Sequence, residues 1–194
     1  MRHAVGMTST TSNIADLQPL SPGRWEFDRA HSQVGFTIRH LGISKIRGAF
    51  RDVDAELHVG DSPADTIVRA TIAMASMDTG LADRDERLLG PGLVDVGLRP
   101  ELVFASTVIE PDGDGWTMGG DLRIGEVTAP VELAVAFGGM QEFALDGRLH
   151  AGFEAQGRIK RSDYGIHFGH ADPIVADAVA IEMDLQFLAP ADGG

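Results

Sequence analysis

Asp28, His31 and Ser32 fall within one short stretch, and His40 follows, in a chain with seven histidines and no cysteine. A carboxylate, an imidazole and a hydroxyl are the parts of a nucleophilic triad. No sharp nucleophile turn frames Ser32, so acyl-transfer chemistry is not expected there. Two more clusters put a guanidinium near a carboxylate: Arg84-Asp85, and Arg161-Ser162-Asp163. Such pairs suit an internal ion-pair network pinning strand and helix ends, and they equally suit a polar lining for a ligand head group. The structural role is favoured for Asp28, His31, His40, Arg84, Asp85, Arg161 and Asp163. His167 and His170, with Asp172 just beyond, could begin a metal site. A catalytic zinc usually takes three protein ligands, and only two are clear here, so no metal is expected. No glycine-rich phosphate loop or dinucleotide fingerprint is present, and no cofactor is expected.

The elements that must position these residues are strands. Val34, Phe36, Ile38 and His40 alternate with Gln33, Gly35, Thr37 and Arg39. A period of two marks a strand with one buried face. The same alternation recurs at Val53–Val59, Val68–Met74, Leu102–Ser106, Trp116–Ile124, Val131–Phe137, Leu149–Ile159 and Val179–Phe187. Gly, Pro and Asp turns separate most of these runs, Gly138-Gly139 among them. About eight half-polar strands predict an all-β fold, an antiparallel sheet closed on itself or sandwiched. Small residues fall on the inward face at Ala55, Ala70, Gly120, Ala151, Ala155 and Gly157. They predict unfilled interior volume, suited to an apolar chain at about 0.8 kcal/mol per buried methylene. Thr79 to Leu89 breaks the pattern with near-3.6 spacing. A short helix is predicted there, capped by Thr79, stopped by Gly90-Pro91, and lying across one barrel mouth.

The length of 194 residues suits one domain. Residues 1–22 read as a flexible arm, 23–189 as the barrel domain and 190–194 as a short polar end. The net charge of −13 argues against nucleic acid as a partner and against anionic membrane surfaces. No apolar run is long enough for a transmembrane span. No secretory signal stands out, so a cytoplasmic location is expected. Self-association, as a homodimer, stays open.

The run Trp25-x-x-Asp28-x-x-His31-Ser32-x-Val34-x-Phe36-x-x-x-His40-Leu41, followed by Gly48-Ala49-Phe50, resembles the start of YceI-like proteins. So do Ala75-Ser76-Met77-Asp78-Thr79 with Arg84-Asp85-x-x-Leu88, and Pro100-x-x-x-Phe104-x-Ser106. Gly120-Asp121-Leu122-x-Ile124 through Pro130-Val131, and Arg161-Ser162-Asp163-Tyr164-Gly165-Ile166, complete the resemblance in the family's order. It implies an eight-stranded antiparallel lipocalin-like barrel with an elongated apolar tunnel for a polyisoprenoid, quinone or other long-chain lipid. By position the lining should include Phe36, Ile38, Leu57, Ile72, Phe104, Leu122, Ile124, Leu133 and Phe153. The chain departs from the family's pattern at Arg87, Gly92-Leu93-Val94, Arg99, Arg123 and Ala129. Most of these lie near the helix and its exit. The expected function is therefore binding, sequestration or transport of a lipid without catalysis. The alternatives are an enzyme using His31, His40 or Arg161 on a lipid held in the barrel, and a ligand-free interaction module.

Overall fold

Alternating apolar residues dictate strands that need a second apolar face, and here the sheet supplies it by curling onto itself. The computed structural model describes residues 20–190; most of the expected arm and polar end lie outside the described residues. Eleven strand segments form: β1 (Gly23–Phe27), β2 (Gln33–His40), β3 (Ser44–Phe50), β4 (Val53–Val59), β5 (Ile67–Ala73), β6 (Met77–Asp78), β7 (Glu101–Asp112), β8 (Gly115–Ile124), β9 (Val127–Phe143), β10 (Arg148–Lys160) and β11 (Val175–Leu188). One helix, α1 (Ala82–Leu89), lies between β6 and β7.

The segments make eight staves, because three staves are broken. β1 and β2 share one stave, interrupted at Asp28–Ser32. β3 and β4 share the next, interrupted at Arg51-Asp52, and β5 and β6 the third, interrupted by a 3-10 turn at Met74–Ser76. Every neighbouring pair is antiparallel. The ring closes where Phe27 pairs with Phe187 and Ile38 with Val179. This is a closed eight-stranded antiparallel barrel, with one local gap among the described residues: Ser44–Gly48 of β3 pair with β2 alone, because β6 reaches only Ala49 and Phe50. Strands of 12 to 14 residues, tilted as barrel closure requires, give an axis of roughly 30 Å.

Several local expectations are corrected. The first run is two strands, because the Asp28 carboxylate accepts the backbone N–H groups of Ala30 and His31 and turns the chain. Gly138-Gly139 is not a turn. β9 runs through it with a bulge opposite Gly152 and Phe153, and Gly139 takes a φ of 112°. The β9–β10 hairpin turns later, at 144–147. Thr79 does not cap the helix: Leu81 is the capping position and makes no side-chain cap bond. Leu20, assigned to the arm, is half-buried against Trp25 and its neighbours.

Among the inward small residues Ala151 is fully buried in the core around Trp25 and Phe187 and opens no space; the others divide into two kinds. Ala55, Ala70 and Ala155 line an internal cavity. Gly120 and Gly157 instead lie beneath neighbouring side chains. A Cβ on Gly120 would stand 2.4 Å from the Phe104 ring, and one on Gly157 would stand 2.5 Å from Leu133. The missing Cβ lets those large groups lie flat along the wall instead of filling the lumen.

Candidate ligand-binding cavity

Each stave turns its apolar face inward, but the inward side chains do not meet across the axis. They enclose a cavity of about 790 Å³, within the range of small-molecule sites. Its wall runs from Leu20, Asp61 and Thr66 at one end to His40, Arg84 and Phe168 at the other. All nine predicted wall residues, Phe36, Ile38, Leu57, Ile72, Phe104, Leu122, Ile124, Leu133 and Phe153, lie on it. Tight packing holds some of them: Ile124 is 2% exposed and Leu133 is 4%. Phe36 and Ile38 stay half-buried because they face the cavity.

The polar candidates do not form one cluster. At the α1 end, Arg84 donates from Nε to Thr79 Oγ1 (2.7 Å) and from Nη2 to the Thr79 carbonyl (2.8 Å). Asp85 accepts the Thr79 N–H at 3.1 Å and also its hydroxyl. So Arg84 and Asp85 are joined through Thr79 and form no direct ion pair. Arg84, Thr79 and His40 all border the cavity.

Arg161 is 5% exposed on the same end. Its guanidinium donates to the carbonyls of Ile166 (2.9 Å), Val175 (3.1 Å) and Ala176 (3.2 Å) and pairs with Asp172 at 2.8 Å. It also stacks 4.5 Å from the Phe168 ring centroid. Asp163, the carboxylate expected to face it, is exposed and is not its partner. Proximity in sequence misled here, because the 3-10 turn at Arg161–Tyr164 sends Asp163 outward. Asp172 also accepts the Phe168 N–H at 2.7 Å. That bond, aided by Arg161, holds its carboxyl below the usual carboxylate range. His167 and His170 are exposed on the intervening loop. Among the described residues no group of three or more His, Cys, Asp or Glu side chains could hold a metal.

Asp28 and His31 sit away from this mouth, on the barrel's outer face, and neither borders the cavity. Their rings and carboxylates belong to a chain of bonds that sequence reasoning missed. His150 Nε2 meets Asp146 at 3.0 Å and its Nδ1 meets Gln186 Nε2 at 2.7 Å. Gln186 donates to Asp28 at 3.1 Å, and Asp28 meets His31 Nδ1 at 2.8 Å. Ser32 Oγ accepts the Gln186 N–H at 2.9 Å and is not joined to His31. The network ties β10, β11 and the β1–β2 break together. A triad is absent from this geometry, and His31, His40 and Arg161 are not brought together.

Burial works to raise the Asp28 carboxyl, but the His31 ring and the N–H groups of Ala30 and His31 outweigh it and hold it low. A carboxyl lowered in the folded state stabilises the fold above its unfolded value, and that contribution is lost as pH falls through the folded value. Asp28→Asn is therefore expected to lower the melting temperature at pH 7 by roughly 3–6 °C, the worth of a charge-assisted bond of about 1.5 kcal/mol. The gap to the wild type should close as pH drops below 4. A thermal melt series across pH checks both halves.

Comparison with known proteins agrees with this geometry. Residues 25–187 match the family model of the YceI-like domain. Protein YceI of Escherichia coli is 37% identical over 137 residues, covering 70% of this chain and 71% of that protein. The crystal structure of Burkholderia cenocepacia BcnA superposes with a TM-score of 0.73 at 24% identity, over 83% of this chain and 99% of that one. A polyisoprenoid binding domain from Saccharophagus degradans, implicated in plant cell wall breakdown, has the same barrel. It gives a TM-score of 0.60 at 15% identity, over 88% of this chain and 100% of that one. With its barrel, its internal cavity and a family match spanning most of its length, the chain belongs to the YceI-like family.

Proposed function

We propose that this protein binds a long-chain amphiphilic lipid, of the polyisoprenoid or isoprenoid quinone class, and sequesters or carries it. The carrying observation is the cavity: about 790 Å³, walled by apolar residues from all eight staves, with lining residues at both ends of the barrel. Its shape suits an extended apolar chain better than a compact ligand. The ligand of the Saccharophagus degradans domain belongs to the class that such a cavity would take.

The tail lies along the lumen, past Phe104, Leu122 and Phe153. The polar end sits at the α1 mouth, where Arg84 borders the cavity and its Nη1 has no partner among the described residues. His40 also borders the cavity at this end. Burial of ten methylenes would contribute about 8 kcal/mol, the equivalent of micromolar binding before association and ordering costs are set against it, so tight binding calls for a longer chain. The test is mass spectrometry of organic extracts of the purified protein. A near-stoichiometric isoprenoid lipid is expected. Extracts without lipid, combined with no uptake of added polyprenol or quinone, would overturn the reading.

A further inference from the structure

The chain carries a net charge of −13, yet residues 29–51 contain no acid at all, only Arg29, Arg39, Lys45, Arg47 and Arg51. Arg29 and Arg51 are matched by Asp52, Asp54 and Asp78. Arg39, Lys45 and Arg47 are exposed and have no ion-pair partner among the described residues. All three point outward on the β2–β3 hairpin, with Arg39 directly across from Lys45. The band continues on the outer face through Arg158 and Lys160, which lie across β11 from β2. The carboxylates beside it are Glu132, Asp163, Asp177 and Glu182; Asp177 is bonded to Ser162, and Glu182 is exposed on β11 between Gly35 and Gln156, one step along from the level of Arg158.

The tip of this hairpin is apolar. Leu41 is 56% exposed and Ile43 is 83% exposed. Leu41 takes a φ of 54°, a left-handed conformation that Gly or Asn adopts more readily. A strained turn that keeps a large apolar side chain in water points to a role outside the fold. The tip also adjoins the cavity mouth: His40 and Ile46 line the cavity on either side of it. Leu81, Leu98 and Val127, all exposed, are at the same end of the barrel.

We infer that the β2–β3 hairpin docks this mouth onto an anionic phospholipid surface, with Leu41 and Ile43 inserted among the acyl chains and Arg39, Lys45 and Arg47 against the head groups. The overall negative charge does not prevent this. Screening confines each charge to about 8–10 Å, so at contact the hairpin's own cations govern. Each cation near such a surface strengthens binding roughly fivefold, and the two apolar side chains add a salt-independent part. The inference extends the carrier reading by naming the surface with which a cargo would be exchanged. It is tested without any cargo, so the two stand or fall separately.

The test is flotation of the full chain with large unilamellar vesicles. Vesicles of phosphatidylcholine alone are compared with vesicles holding 30% phosphatidylglycerol, at low and high salt. Binding to the anionic vesicles that weakens with salt is expected. Lys45→Glu with Arg47→Glu should reduce it at least tenfold. Leu41→Asn with Ile43→Thr should also reduce it at least tenfold, while the melting temperature holds or rises because Asn relieves the turn. No wild-type binding to anionic vesicles, or binding undiminished in both variants, would overturn the inference. So would tighter binding to duplex DNA that ignores the Leu41/Ile43 change, which would mark a general polyanion site.

Discussion

Replacing Arg161 with alanine is expected to lower the melting temperature on the order of 10 °C while leaving lipid affinity within tenfold. The side chain is buried, and its guanidinium gathers the Ile166 carbonyl and the Asp172 carboxylate from the loop that joins β10 to β11, and the Val175 and Ala176 carbonyls from the start of β11. Deleting it leaves the half-exposed Asp172 carboxylate and three backbone acceptors without their donor, and each acceptor left unsatisfied in the interior costs about 1–3 kcal/mol. Arg161→Lys should rescue only part of the loss, because an ammonium cannot reproduce the planar fork. Calorimetry gives the stability, and displacement of a fluorescent fatty probe well below the transition gives the affinity. Unchanged stability with affinity lost would instead make Arg161 a head-group ligand.

Ala155→Trp should have the opposite profile: lipid affinity down a hundredfold or more in a barrel that still folds. Ala155 lines the cavity in mid-strand, level with Val135 and Met183 on the neighbouring staves. An indole there would divide the lumen and exclude several methylenes of the ligand at about 0.8 kcal/mol each. The adjacent cavity offers it room, so the usual cost of overpacking a dense core is relieved. Probe displacement alongside circular dichroism reads both properties. Full affinity in the folded variant would place the ligand elsewhere.

The barrel was legible because alternation is written into each strand, and the nine wall residues were named from the family resemblance. The broken staves were not legible. At Asp28 the break comes from a side chain capturing backbone N–H groups, which alternation does not encode. β3 was hidden because Ser44-Lys45-Ile46-Arg47-Gly48 has too few apolar residues to announce a strand. The polar partners were the least legible. Arg161 is held mainly by carbonyls, which leave no mark on the sequence, and its carboxylate is Asp172, not the nearer Asp163. The His150–Gln186–Asp28 network joins residues 36 and 158 positions apart. Only closure of the barrel brings them together.

The most direct test of an elongated binding tunnel is affinity against chain length, measured by calorimetry or probe displacement with straight-chain alcohols from eight carbons upward. If the tail lies along the lumen, each added pair of carbons should tighten binding about tenfold. The gain should stop once the tunnel is filled, and that point should move to shorter chains in Ala155→Trp. Affinity that does not change with chain length, in either protein, would contradict the account.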